Sequence, residues 1–192
     1  MGAHADLVCI RTRDVLVRER TRLVNHIRGI AKSFGVQLPR CYPEAFVKKT
    51  RLLIPDAITA AVQPVFRCLD EVNLEIKCLD RRLAERATTA YPETAKLEQV
   101  PGVGPITSLA FVLTIDDPKR FPKSRTVGAY VGLVAGKSQS GDRDPEKRVT
   151  KAGDPLLRRL LVNCAQYILA RGPDCDLKRW GLALVAPREE ER

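Results

Sequence analysis

The chain has 192 residues, of which 44% are hydrophobic and only 5% aromatic, and its formal net charge is +10. This length suffices for one ordinary domain, or for a small domain with an extended arm, and the apolar content excludes a disordered tail. Most of the apolar mass is leucine, valine, alanine and isoleucine, which predicts a mainly α-helical fold. The positive charge favours a polyanionic partner, with nucleic acid as the first candidate, although many proteins are basic for solubility alone.

The six cysteines form no C-x-x-C pair, and neither histidine lies at a metal-ligand spacing from them. We therefore predict reduced structural thiols in a cytoplasmic protein, with no metal or other cofactor bound by this chain. No apolar run is long enough to span a membrane, so no membrane partner is expected.

The first predicted helix extends from Leu7 to about Phe34, and Gly35 is expected to end it as a C-cap. A heptad seam, interrupted only by Arg20, is formed by Leu16, Leu23, Ile27, Ile30 and Phe34. Basic residues on the other faces outnumber acidic ones, and those predicted to bind nucleic acid are Arg18, Arg22 and Arg28. Such a helix suits a phosphate backbone, and the alternative is a packed helix with a solvated basic face.

A second heptad seam is unbroken and consists of Ile58, Val62, Val65, Leu69, Val72, Ile76, Leu79 and Leu83. Pro64 lies inside this helix and is expected to kink or restart it. The seam requires a partner helix, which is either the first helix folded back or a second copy of the chain. We predict coiled-coil pairing, and a homo-oligomer formed through the coiled coil.

The heptads stop near Tyr91 and Pro92, after which glycines become frequent. The segment "PGVGP" then separates two apolar helical stretches. Gly102 and Gly104 allow positive φ angles in a sharp turn, and Pro105 suits the first turn of the next helix. This pattern resembles a helix-hairpin-helix motif, whose free backbone N–H groups can bind a DNA phosphate. A plain tight turn between packed helices is the alternative.

The segment "GKSQSGDRDPEKRVTKAGDPLLRR", residues 136–159, is basic, rich in glycine, and ends in an apolar helix. Extended residues near Val131–Val134 and Arg148–Thr150 are expected to pair as a short β-ribbon around it. The preceding "GLVAGKS" lacks the glycine spacing of a nucleotide-binding P-loop, which makes that function improbable.

Three segments carry a family resemblance: "RDVLVRERTRLVNHIRGIAKSFG", "PGVGPIT" and "RFPKSRTVGAYVGL…SG…VTKAGDPLLRRLLV". Together, and in this order, they resemble the bacterial insertion-sequence one-ten family of transposases. Members of that family pair an N-terminal RuvC-like domain carrying four metal-binding acids with a coiled coil and a C-terminal transposase domain, and are guided by a bridge RNA. The resemblance implies a basic helix over residues 1–35, a helical linker and coiled-coil helix over 36–92, and a transposase domain over 93–192.

In that family the serine of the "SG" pair attacks DNA and forms a covalent phosphoserine intermediate, a role that the resemblance gives to Ser140, with Ser138 as the fallback. A serine hydroxyl needs activation, and cations must stabilise the charge that develops on the phosphorus. Residues expected to supply those cations are Lys137, Arg143, Lys147, Arg148 and Lys151, while Arg158 and Arg159 would bind neighbouring phosphates.

The family's four acids should precede the first helix, where this sequence offers only Asp6. The sequence thus resembles a transposase truncated at both ends, with Mg²⁺ expected only in the missing RuvC-like domain. We expect a transposase fragment that acts on DNA with a guide RNA in the bacterial cytoplasm, associated with the nucleoid, and that is inactive alone. The alternative is a non-catalytic DNA- or RNA-binding module held together by its coiled coil.

Overall fold

The computed structural model describes residues 2–137 and 147–185. Within these residues the chain forms helices and no β-strand, which confirms the mainly α-helical prediction. The α-helices are α1 (Ala3–Ser33), α2 (Phe46–Thr50), α3 (Asp56–Ala90), α4 (Thr94–Leu97), α5 (Pro105–Ile115), α6 (Ser124–Val131), α7 (Pro155–Ala170) and α8 (Asp176–Val185). The chain divides into two compact units, Met1–Leu83 and Ala84–Arg192, so α3 begins in the first and ends in the second.

In the first unit, α1 and α3 form an antiparallel pair. The Arg13 guanidinium donates to the Asp80 carboxylate, and two helical turns further along α1 the Arg20 guanidinium donates to Asn73. Residue numbers therefore rise along one helix as they fall along the other. The shared core is formed by Val24, Ile27, Ala31, Leu38, Phe46, Val47, Ile54, Ile58, Val62, Phe66 and Leu69. Of the two partners considered for the second heptad helix, the described structure therefore shows the first helix of the same chain.

The end of α1 confirms the predicted glycine cap. Gly35 has a φ of +77°, and its N–H donates to the Lys32 carbonyl at 3.0 Å. The Val36 N–H donates to the Ala31 carbonyl at 2.9 Å. These two bonds define a Schellman motif, which satisfies carbonyls that the end of the helix would otherwise leave without donors.

The predicted seam of α1 is confirmed except at its last member. Ile27 is buried, Leu16, Leu23 and Ile30 are half-buried, and Phe34 is exposed. Leu23 and Ile30 pack against the core of the first unit. The buried residues of α1 are Asp6, Ile10, Arg20, Val24, Ile27 and Ala31. Arg20, which was expected to interrupt the seam, belongs to this buried stripe because its guanidinium contacts the Glu44 carboxylate at 2.7 Å.

The seam of α3 is confirmed, since each of its predicted members is buried or half-buried. Pro64 lies inside the helix and α3 is continuous through it, so of the two predicted outcomes the restart is wrong and the kink stays a prediction. Proline deprives the carbonyl of residue Ala60 of its helical donor, but both residues are exposed and water can bond that carbonyl. The helix therefore continues through Pro64.

In the second unit, α5 packs against α4 and α7, and α7 also contacts α6 and α8. Its buried apolar residues are Ala87, Leu109, Ala110, Ile115, Val131, Leu157, Cys164 and Ile168. Asp154 caps the start of α7 by accepting the Leu157 N–H at 2.8 Å, and Pro155 occupies the first helical position. Asp154 and Pro155 therefore define where α7 begins, directly after residues 147–153.

Candidate nucleic-acid interface

The turn between α4 and α5 depends on one of its two glycines. Gly102 has a φ of +85°, which glycine adopts far more readily than other residues. A Cβ atom there would also lie 2.7 Å from the Cδ1 atom of Tyr167 on α7. Gly104 has a φ of −108° and serves as the N-cap of α5, so it does not use the positive φ that its residue type allows. Gly102 thus shapes the turn and permits its close packing against α7.

The first turn of α5 has backbone donors available for an anion. The Thr107 and Ser108 N–H groups both donate to the Gly104 carbonyl at 3.0 Å. The Gly104 and Ile106 N–H groups have no acceptor within the part of the chain that the structure describes. However, the Glu98 carboxylate accepts a 2.8 Å hydrogen bond from the Ser108 hydroxyl, which places a negative charge beside this turn. A phosphate at this helix start would therefore have to compete with a carboxylate.

The predicted ribbon is present as a single antiparallel bridge between Ala135 and Val149. The Gly136 N–H donates to the Arg148 carbonyl at 3.0 Å, and the Thr150 N–H donates to the Val134 carbonyl at 2.9 Å. Residues 136 and 148 flank residues 138–146, which carry Ser140. The bridge therefore brings the two ends of the Ser140 segment together.

Two glycines allow the backbones on either side of this ribbon to touch. Gly132 and Gly153 have φ angles of +76° and +73°. A Cβ atom at Gly132 would overlap the backbone of Ala152, and one at Gly153 would overlap the carbonyl oxygen of Tyr130. The end of α6 is thus packed directly against residues 151–153.

Arg158, on α7, forms hydrogen bonds to both backbone segments beside the ribbon. Its Nη1 atom donates to the Val131 carbonyl at 3.0 Å and to the Ala152 carbonyl at 2.7 Å. These bonds connect the last residue of α6 to the residues that precede α7. Phosphate binding by Arg158 stays a prediction, and it would have to use the nitrogens that these bonds leave free.

The other predicted site residues of this region divide into two groups. Exposed side chains at and near the ribbon are those of Lys137, Lys147, Arg148, Lys151 and Arg159. The predicted nucleophile Ser140, its fallback Ser138, and Arg143 lie outside the described residues. Lys137, Lys147, Arg148 and Lys151 make no ion pair with any residue in ranges 2–137 and 147–185. Four cations therefore flank the two ends of the Ser140 segment.

The three predicted arginines of α1 have partners of their own. Arg18 pairs with Asp14 at 3.2 Å, and Arg22 pairs with Glu19 at 2.9 Å, both within the helix and both with exposed guanidinium groups. Arg28 donates to the Leu38 and Pro39 carbonyls, and its Cζ atom lies 5.0 Å above the ring of Phe46. Arg28 thus stabilises the segment that follows α1, while Arg18 and Arg22 remain accessible to a polyanion.

Sequence reasoning missed a group of residues in the segment "RFPKSRTVGAY". There the rings of Phe121 and Tyr130 contact edge to face, and the guanidinium of Arg120 lies over both. The sequence signal was an aromatic residue among closely spaced cations, which is a common pattern in single-strand-binding surfaces.

Neither a metal cluster nor a membrane span is found in the described structure. Among residues 2–137 and 147–185, no group of three histidine, cysteine, aspartate or glutamate side chains could hold a metal ion. The acids needed for paired Mg²⁺ ions are therefore not assembled in this part of the chain. None of the described helices combines the length and the apolar character needed to cross a membrane.

Comparison with known proteins identifies relatives over nearly the whole sequence. Residues 94–178 match the family model described as "Transposase IS116/IS110/IS902 family". The chain is 28% identical to the transposase for insertion sequence element IS1111A of Coxiella burnetii, over 95% of this chain and 52% of that protein. It is 30% identical to the transposase for insertion sequence element IS1328 of Yersinia enterocolitica, over 84% of this chain and 49% of that protein. The chain therefore spans about half the length of these relatives.

Proposed function

Because this chain belongs to the IS116/IS110/IS902 family of transposases, we propose that it acts in the transposition of an insertion sequence, binding DNA and cutting it with a serine nucleophile. The observation that carries the proposal is the position of the family match, residues 94–178. That range contains the turn at Gly102, the ribbon that joins the ends of the Ser140 segment, and α7.

In the proposed reaction the Oγ atom of Ser140 attacks a DNA phosphodiester. An ester bond forms between serine and phosphorus as one P–O bond of the strand breaks, and the departing DNA oxygen gains a proton while the serine loses one. Lys137, Lys147, Arg148 and Lys151, which have no ion-pair partner in the described structure, support this proposal. Such cations would stabilise the negative charge that develops on the phosphoryl oxygens.

The proposal assigns activation of the serine to groups supplied from outside these 192 residues. No cluster in the described residues fits Mg²⁺, so we propose that a RuvC-like domain supplies the metal-binding acids and that a guide RNA selects the DNA. The chain's own contribution is then to bind DNA and to provide the nucleophile.

The test is the formation of a covalent adduct. The chain is mixed with the RuvC-like domain of a related transposase, Mg²⁺, cognate DNA and guide RNA, and then denatured before electrophoresis. An ester to serine survives denaturation, so a protein–DNA adduct should remain. Ser140→Ala should abolish this adduct and leave DNA binding nearly unchanged, because the hydroxyl contributes to the chemical step.

Ser138→Ala is the matched control and should retain the adduct. If Ser138→Ala abolishes the adduct and Ser140→Ala retains it, the mechanism stands and the assignment of the nucleophile is wrong. If no adduct forms although the RuvC-like domain is active with its own partner domain, the serine chemistry is absent from this chain.

A second candidate is a non-catalytic module that binds DNA or RNA. The observation that favours it is the absence of a metal-binding cluster among residues 2–137 and 147–185. This module would bind nucleic acid with a steep salt dependence and would form no adduct under any of the conditions above.

We also propose that the protein forms homo-oligomers through its long helices. Val8 and Val15, one heptad apart on α1, are both 46% exposed although α1 already packs against α3. An apolar edge at heptad spacing can accept a further helix from a second copy. Light scattering that gives a monomer mass at all concentrations would refute this proposal.

A further inference from the structure

The segment between α5 and α6, together with α6 itself, presents an aromatic–arginine cluster, formed by Arg120, Phe121 and Tyr130. The ring centroids of Phe121 and Tyr130 are 5.3 Å apart, with an interplanar angle of 68°. The Arg120 Cζ atom lies 5.8 Å from the Phe121 centroid and 5.6 Å from the Tyr130 centroid. Both distances fall within the range of cation–π attraction. The cluster therefore holds two rings and one planar cation in a defined arrangement.

The position of Tyr130 is fixed by its backbone. Its carbonyl oxygen packs against Gly153 so closely that a Cβ atom there would overlap it. The next residue, Val131, is buried, and its carbonyl accepts a hydrogen bond from Arg158. The backbone that carries the Tyr130 ring is thus packed beside the ribbon that joins the ends of the Ser140 segment.

The cluster is accessible to a ligand. Tyr130 is 38% exposed, and Phe121 is half-buried beside it. The guanidinium of Arg120 makes no hydrogen bond or ion pair to any residue in the described parts of the chain. The described structure pairs it only with the two rings, so its donors are available to a phosphate or to a base.

Exposed cations lie close to the cluster in the sequence. Lys119, Lys123 and Arg125 are all exposed, and none pairs with an acid within the described residues. Of the two acids immediately upstream, Asp117 accepts the backbone N–H of Lys119 at 2.9 Å and so caps the short helical turn there. These cations give the sequence around the cluster a positive charge that would attract phosphates.

We infer that the aromatic–arginine cluster binds one unpaired nucleobase of a single strand, with the flanking cations contacting the neighbouring phosphates. Aromatic rings and guanidinium planes are the surfaces on which proteins stack unpaired bases. In a duplex the base faces are covered by neighbouring base pairs, so a duplex can use only the cations of this site. The inference rests on the proposed function, because it assumes that the chain binds nucleic acid, and it adds a preference for unpaired strands.

The test compares single-stranded and duplex binding by the full chain. Fluorescein-labelled oligothymidine, oligouridine and a mixed-sequence DNA duplex, all of equal length, are titrated in fluorescence-anisotropy measurements at fixed salt. Tyr130→Ala should weaken binding of both single strands about fivefold to 150-fold, the range that alanine substitution gives for stacking on one aromatic residue. Duplex binding should change less than about twofold. Tyr130→Phe keeps the ring and should bind like the parent.

Two further variants separate stacking from charge and from folding. Arg120→Ala removes a cation and should weaken binding to single strands and duplex alike, with a larger loss for single strands. Tyr42→Ala removes a tyrosine that is 75% exposed in the first unit, and it should leave all three affinities unchanged. An equal melting temperature would show that Tyr130→Phe keeps the fold of the parent. Retained duplex binding would show the same for Tyr130→Ala.

Photocrosslinking gives a second readout that does not depend on affinity. Strands carrying 5-iodouracil, in DNA and in RNA, should crosslink to a peptide that contains Phe121 or Tyr130. The relative yields of the DNA and RNA strands show which of the two the site prefers. Crosslinks confined to other peptides would overturn the inference.

The possible failures are distinguishable. If the chain binds both single strands and duplex but Tyr130→Ala changes neither, or changes both equally, the stacking site is refuted while the proposed function stands. If the chain binds no nucleic acid at low salt, the proposed function and the stacking site are refuted together.

Discussion

Replacement of Arg20 by methionine tests how the first unit is held together. Arg20 is 8% exposed and lies in the buried stripe of α1 between Ile10 and Val24. Its Nη1 atom contacts the Glu44 carboxylate at 2.7 Å and the Asn73 side-chain oxygen at 3.4 Å. Its Nε atom is buried and has no hydrogen-bond partner in the described structure. The side chain therefore combines one ion pair with one unsatisfied donor.

The ion pair and the unsatisfied donor change the free energy of unfolding by different amounts. A buried donor without a partner costs about 1–3 kcal/mol. The ion pair contributes about 0–1 kcal/mol, because the Glu44 side chain is half-exposed and solvent screens the attraction. Methionine has a similar unbranched shape, fills irregular apolar space and has no donor to satisfy. We therefore expect Arg20→Met to raise the free energy of unfolding of the first unit by about 1–2 kcal/mol.

Urea unfolding followed by circular dichroism at 222 nm measures this change, since α1 and α3 supply much of the helical signal. Arg18→Met is the matched control on the same helix, because its guanidinium is exposed and, among the described residues, it pairs only with Asp14 of the same helix. We expect that control to change the free energy of unfolding by less than about 0.5 kcal/mol. A loss of more than about 1 kcal/mol in Arg20→Met would refute the reasoning, because it would show that the contacts of Arg20 with Glu44 and Asn73 outweigh the cost of its unsatisfied donor.

Three other changes probe the two units, two of them in the second unit and one in the first. Gly153→Ala forces a Cβ atom into the Tyr130 carbonyl and a non-glycine residue into positive φ, so unfolding monitored by the single tryptophan should lose at least about 2 kcal/mol. Gly29→Ala, in α1 with nothing within 4 Å, should instead stabilise the first unit by about 0.5–1 kcal/mol. Glu98→Gln removes the carboxylate beside the start of α5, and duplex DNA affinity should rise about two- to fivefold if that helix start binds phosphate. An unchanged affinity in anisotropy titrations would show that DNA does not approach this turn.

Local sequence patterns were sufficient for some elements of the fold. The seam of α3 repeats without interruption, and its residues lie on one face of a helix whatever the partner is. Gly35 was predictable as a cap because the left-handed conformation after a helix strongly favours glycine. The ribbon around residues 135 and 149 was predictable from short extended segments on both sides of a loop rich in glycine.

Other features depend on contacts between distant residues. Arg20 is buried because Glu44 and Asn73 lie opposite it, and nothing in the local sequence of α1 indicates those partners. Arg158 was interpreted as a phosphate ligand from its charge, but its acceptors are the backbone carbonyls of Val131 and Ala152, which have no sequence signature. The same holds for the pairing of Phe121, which precedes α6, with Tyr130 near the end of α6, because the fold brings these two rings together.

The bridge between Ala135 and Val149 also bears on how this protein can change during evolution. Because the ribbon closes through backbone hydrogen bonds at its base, residues inserted between 136 and 148 leave the packing of α6, α7 and the paired glycines untouched. The entropy of closing such a segment grows slowly with length, and doubling it costs only about 0.6 kcal/mol. The packing of α6 and α7 therefore tolerates a change in the length of the segment between residues 136 and 148 at a small cost in stability.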